Sequence, residues 1–182
     1  RARVGEGLAG AWDPAIRNQV LDGDGVAAEV LFPDGITERN APPFSADVGL
    51  RPFGIEPELQ WAGARAHNRW MAEFCQDDPL RRIGLAVIPA LYDVEENLKE
   101  IRWAHAAGLK GVFMPIITDG YAMYNHTKYY PMWELLQELN LSVHFHSGGA
   151  PAYDTTQPGW IGTYLSEYAF WLTRPMWSMI FG

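Results

Sequence analysis

The sequence predicts an α/β protein built on a parallel sheet. Two observations carry this: four short apolar runs recur along the chain, and a stretch with helical spacing of apolar residues separates each run from the next. Continuous apolar runs of this length suit strands covered on both faces, as parallel strands are.

The first run is Val26 to Phe32 (VAAEVLF), bounded by Asp22-Gly23-Asp24-Gly25 and by Pro33-Asp34-Gly35. A helix follows from Glu56 to Gln76, with Leu59, Gly63, Ala66, Trp70 and Phe74 on one stripe. The second run is Ile83 to Ile88 (IGLAVI), closed by Pro89. Asp93 then caps a helix that carries Val94, Leu98, Ile101 and His105 and ends at Gly108. The third run is Gly111 to Ile116, after which Pro131 opens a short helix through Trp133, Leu135, Leu136 and Leu139. After the turn at Asn140 comes the fourth run, Val143 to His146, and then a helix from Ile161 to Leu172 that is interrupted at Pro175. The order β-α-β-α-β-α-β-α predicts right-handed parallel crossovers.

Two architectures fit that order, an open doubly wound sheet and part of a (β/α)8 barrel. No G-x-G-x-x-G follows any strand, so the dinucleotide-binding version of the open sheet loses support. A whole barrel needs about 250 residues; four or five units in 182 residues make a partial one, read as a single domain over residues 1–182. The long Pro-, Gly- and polar-rich segment 34–55 follows the first strand, where a barrel places its substrate-binding loops.

Composition narrows the function. The formal net charge is −8 with no basic cluster, which argues against nucleic acid and anionic membrane surfaces as partners. No apolar run reaches the length of a membrane span, because Glu167, Arg174 and Pro175 break the aromatic stretch from Trp160 to Phe181. No signal peptide is visible at the N-terminus. The single cysteine, Cys75, excludes an intrachain disulfide and fits a reducing, cytoplasmic location; its place at a helix end points to packing.

The stretch Leu141-Ser142-Val143-His144-Phe145-His146-Ser147-Gly148-Gly149 carries the strongest chemical signal. Side chains alternate along a strand, so His144 and His146 share the face opposite Val143 and Phe145. Two imidazoles at the carboxyl end of a strand stand where α/β proteins bind ligands, and neutral imidazole ligates zinc and similar ions. A polar strand end whose histidines bond to nearby loops is the competing interpretation.

The chain resembles the amidohydrolase-related family of metal-dependent (β/α)8 barrels, and within it the decarboxylases of aminocarboxymuconate semialdehyde. The resemblance runs through WDPAIRNQVLDGDGVAAEVLFP at 12–33, HNRWMAEFCQDDPLRRIGLAVIP at 67–89, AGLKGVFMP at 107–115, YYPMWELLQELNLSVHFHSG at 129–148 and RPMWSMIFG at 174–182. It implies a partial barrel of about strands 2–5 with their helices. It also implies that His146, at the end of the fifth barrel strand, ligates a divalent metal, with zinc as the expected ion. The family pattern has an apolar residue where His144 stands, which moves His144 to a pocket-lining role. An H-x-H pair on the first strand, a functional position on the sixth and an aspartate after the eighth belong to the same pattern and are not found here.

The implied activity is metal-dependent decarboxylation of a small carboxylate-bearing substrate. Hydrolysis of a C–N or C–O bond is the alternative, and an inactive or binding-only fragment is a third reading. A carboxylate substrate calls for a cationic partner, for which Arg39, Arg51 and Arg174 are the candidates. Asn40, Pro42, Pro43 and Phe44 are placed to shape a lid, and His126 to reach the pocket from the loop after the third strand. His67 and His105 are read as packing histidines within helices. The aromatic residues Trp160, Tyr164, Tyr168, Phe170, Trp171 and Trp177 are expected to pack beneath the barrel or to form a subunit contact, with the full-length protein a homo-oligomer. A four-strand piece alone is expected to bind metal weakly, to turn over nothing and to associate through its open strand edges.

Overall fold

A computed structural model describes residues 9–33, 56–116, 118, 120–146 and 153–182. Four strands, β1 (Glu29–Leu31), β2 (Arg82–Val87), β3 (Gly111–Phe113) and β4 (Ser142–His144), form one sheet in the order β1-β2-β3-β4. All three pairings are parallel, with Val30 opposite Ile83, Ala86 opposite Val112 and Val112 opposite Val143. Each strand therefore lies beside its predecessor. A doubly wound sheet reverses direction at a switch point, whereas a barrel winds one way, so the order selects the barrel segment.

Among the described residues, five α-helices accompany the strands: α1 (Pro14–Gly23), α2 (Pro57–Gln76), α3 (Val94–Ala106), α4 (Tyr130–Glu138) and α5 (Trp160–Phe181). Asp93 caps α3 by accepting the Glu95 and Glu96 N–H groups at 2.8 and 3.4 Å. Gly108, at φ +91°, and Asn140, at φ +53°, supply the left-handed turns that end α3 and α4, as glycine and asparagine do most readily. Helix α1 was not foreseen, although Asp13 caps it through the Ala15 and Ile16 N–H groups and Pro14 sits in its first turn.

Alternation sorts the strand residues onto two faces. Ala86, Ile88, Val112 and Met114 join the main core with Met71, Ala72, Cys75, Ile101, Ala104, Leu135 and Leu136 from the helices. Leu85, Val87 and Phe113 face the other way and form a smaller cluster with Ala64 and Phe32. Asn68, fully buried on α2, bonds the Val87 N–H (2.7 Å) and C=O (3.0 Å), and donates to the Glu100 carboxylate on α3 at 2.9 Å. The Ile88 N–H donates to Phe113 on β3, so the Val87 groups point to the β1 side, where the ladder has ended. Glu100 is also ion-paired with Arg69, whose guanidinium lies 3.5 Å from the Trp103 ring centroid.

These polar residues displace the expected helix stripes. Leu59, Ala66 and Trp70 are exposed on α2, while Gln60, Ala64, Asn68, Met71 and Cys75 are buried. On α3, Asn97 and Glu100 are buried with Ile101 and Ala104; His105, expected to pack, is exposed. Helix α5 runs unbroken through Pro175 instead of stopping there. Proline removes one N–H donor without forbidding helical φ, so the helix loses only the bond to the Trp171 carbonyl; on either side of it Thr173 donates to the Ala169 carbonyl at 2.8 Å and Ser178 to that of Pro175 at 2.7 Å. The α5 aromatics contact one another along the helix, as in the Tyr164–Tyr168 and Phe170–Trp177 pairs, with centroids 5.8 and 5.4 Å apart. Among the described residues no helix is long and apolar enough to cross a membrane.

Candidate functional site

The site is built on β4 and the residues just beyond it. Strand β4 is held by its ladder with β3, extended by the Met114 N–H, which donates to the His144 carbonyl at 3.1 Å. That bond keeps the chain extended as it leaves the sheet. His144 and His146 both lie against Phe32 from the end of β1, with ring centroids 5.8 and 5.0 Å apart. Phe145 points to the opposite face, 5.7 Å from Tyr124. The shared face of the histidine pair, read from period two, is what the structure has.

His144 is tied back along its own strand. Its Nε2 lies 2.7 Å from the hydroxyl of Ser142, which donates to the Lys110 carbonyl at 3.4 Å. Gly111, opposite Ser142 in the ladder, makes room for this: a Cβ there would come within 2.7 Å of the Ser142 hydroxyl and 2.9 Å of Leu85. Burial lowers the His144 pKa below the usual histidine value, because removing water disfavours the imidazolium. Phe32 also meets Phe113 edge-on at 5.8 Å, so an aromatic wall backs the two imidazoles.

The other candidates are scattered. His126 is exposed and caps the 3-10 turn Thr127–Tyr129, its Nδ1 accepting the Lys128 N–H at 3.1 Å; among the described contacts it has none with His144 or His146. Arg174 on α5 donates to the hydroxyl of buried Thr118, in the loop after β3, at 3.3 Å and lies 5.5 Å from the Trp171 ring. Arg39, Asn40, Phe44 and Arg51, with Pro42 and Pro43, lie outside the described residues. His67 packs against Trp70 at 5.5 Å, and burial pushes its pKa down to about 4. Cys75 is buried, its thiol pushed up to about 11, as fits a packing residue.

Sequence reasoning missed Phe32 and Ser142. Both signals were present: Phe32 is the last residue of its apolar run, and period two carries the histidine face back to Ser142.

Two imidazoles on one face suit zinc or a similar ion as part of a nitrogen-donor set. Among the described residues, no group of three or more His, Cys, Asp or Glu side chains could hold a metal ion. The described face therefore offers donors without completing a set.

The chain belongs to the amidohydrolase family, whose sequence model matches residues 12–171. No match was found among curated protein sequences. Its fold is similar to that of 2,6-dihydroxybenzoate decarboxylase from Rhizobium, at 20% identity and a TM-score of 0.63 over 90% of this chain and 49% of that one. It is also similar to 5-carboxyvanillate decarboxylase from Sphingomonas paucimobilis, at 20% identity and 0.61 over 88% and 44%. A dihydroxybenzoic acid decarboxylase from Polaromonas, solved with manganese and 2-nitroresorcinol, matches at 18% identity and 0.62 over 90% and 48%. The chain spans about half the length of these solved proteins. The four-stranded sheet with its helices is thus part of a (β/α)8 barrel.

Proposed function

We propose that this chain contributes to a metal-dependent decarboxylase acting on a small carboxylate-bearing substrate. The observation that carries the reading is His146, beside His144, at the carboxyl end of a strand in an amidohydrolase-family barrel. Barrels of this kind bind and transform their substrates at that end. Decarboxylase neighbours support carbon dioxide release over hydrolysis of a C–N or C–O bond.

His146 would be one of at least three donors to a divalent cation, and the described residues alone do not supply the full set. Imidazole favours zinc; a neighbour with manganese supports the broader class of divalent ions. Lewis-acid polarisation of the substrate is the chemistry such an ion supplies when bound. Phe32 would keep water from the imidazole face, which strengthens electrostatic contacts there. Arg174, placed by Thr118 in the loop after β3, is the described cation available to a substrate carboxylate. The exposed apolar residues of α5, Ile161, Leu165, Phe170 and Trp177 among them, serve in this reading as a subunit contact, and the single buried cysteine fits the cytoplasm.

The test is a panel of small aromatic and aliphatic acids labelled at the carboxylate, incubated with the full-length protein and added zinc or manganese. Release of labelled carbon dioxide that stops on His146→Ala is the expected result. Metal-dependent hydrolysis of amide or ester analogues with no carbon dioxide release would overturn the decarboxylase assignment.

A further inference from the structure

We propose that His144 is a second nitrogen ligand to the cation held by His146, and that Ser142 is the positioning residue that prepares it. The inference rests on the metal-dependent reading above and adds a residue to it. Its basis is the placement of Ser142 between two partners. The Ser142 hydroxyl lies 3.4 Å from the Lys110 carbonyl, which can only accept, and 2.7 Å from His144 Nε2. In the arrangement proposed, Ser142 donates to Lys110 and accepts from the Nε2–H of His144. That leaves Nδ1 of His144 unprotonated and available as a ligand.

A metal-bound histidine characteristically donates its other ring N–H to a fixed oxygen, which sets the tautomer and ring orientation and raises the basicity of the ligating nitrogen. The chain His144 Nε2–H to Ser142 to the Lys110 carbonyl has this form. The pairing of Gly111 with Ser142 supports a dedicated arrangement, since any side chain at 111 would displace the hydroxyl. Phe32 touches both imidazoles and holds them on one face. A strand places residues i and i+2 on the same side within one ligand sphere's reach, so two nitrogens from a single strand are available together. Two nitrogen donors also shift preference among divalent ions away from manganese and toward cobalt and zinc.

The test uses the full-length protein, 15N-labelled at histidine, with zinc as the probe. Without metal, the His144 Nε2 resonance should be protonated in character and Nδ1 unprotonated, and Ser142→Ala should give a mixture of tautomers while the folded spectrum and melting temperature persist. Adding zinc should shift the ring nitrogens of both His144 and His146. Ser142→Ala should weaken zinc binding about 10–100-fold, and His144→Leu should weaken it at least as much while narrowing the zinc-over-manganese preference. An Nδ1–H tautomer in the wild type overturns the proposal. So does zinc that shifts His146 and leaves His144 unmoved, a result under which the decarboxylase reading stands. Zinc that shifts neither histidine overturns both.

Discussion

The two ends of this parallel sheet are built from opposite chemistry. At the amino-terminal end, Arg82 is almost wholly buried, and its guanidinium donates to the carbonyls of Phe74 (2.9 Å) and Pro14 (2.7 Å), to Asn18 (2.6 Å) and to Asp77 (3.3 Å). It lies 4.6 Å from the Phe74 ring centroid, and Glu29 beside it is ion-paired with Arg17. One side chain thus ties α1, β2 and the end of α2 together. At the carboxyl end, His144 and His146 stand against Phe32, and the hydrogen bond of His144 stays on its own strand, to Ser142. The first end commits its polar groups to holding the chain; the second presents two imidazoles on one face. That division is the one barrel enzymes show between a stabilising and a reacting face.

The largest expected effect comes from breaking the first end. Arg82→Met removes the guanidinium from the Phe74 and Pro14 carbonyls, the Asn18 amide oxygen and the Asp77 carboxylate, so thermal or denaturant unfolding should show a loss of about 3–5 kcal/mol. A melting temperature unchanged from wild type would erase the contrast between the ends.

Next is Asn68→Leu, which orphans both Val87 backbone groups and one contact of Glu100. The expected loss is about 2–3 kcal/mol in the same unfolding measurement, placing this residue with the stabilising end despite its position near the carboxyl ends of the strands.

An effect of comparable size at most follows from pH. His67 is part of a stack with Trp70 and Phe74 that leads along α2 toward Arg82. Its pKa of about 4 when folded lies below the ordinary histidine value of 6.5, so the unfolded chain binds more protons between those values. Stability should therefore be full above pH 6.5 and fall as pH drops toward 4, by at most about 3 kcal/mol in urea titrations. His67→Gln should flatten that profile; an unaltered slope would remove His67 from the account. Smallest of all, Ser142→Ala and His146→Ala should each change unfolding free energy by less than about 1 kcal/mol, because the carboxyl end contributes little to holding the fold. A loss comparable to that of Arg82→Met would collapse the distinction.

Much of this architecture was legible because strand runs are continuous and apolar: the sequence places all four strands, the Asp93 cap and the turns at Gly108 and Asn140. The helix faces were not. Asn68, Asn97 and Glu100 occupy buried positions that an amphipathic reading gives to water; Asn68 and Glu100 are partnered across elements 32 residues apart, and Asn97 donates to the Ala90 carbonyl before its own helix. Arg82 is hidden for the same reason. Pro175 misled in the other direction, since a proline inside a helix usually ends it. In the site, period two gave the shared face of His144 and His146, while the hydrogen bond between Ser142 and His144 depends on the glycine opposite, which no local pattern reveals.

The central claim is that the carboxyl end of β4 holds metal through His146 while the rest of the sheet holds the fold. Elemental analysis of the purified full-length protein, beside His146→Ala, tests it most directly. The account predicts divalent metal close to one equivalent in the wild type, its loss in His146→Ala, and a metal-free melting temperature shared by both. Full metal content retained by His146→Ala, or a wild type that binds none when zinc and manganese are supplied, would contradict it.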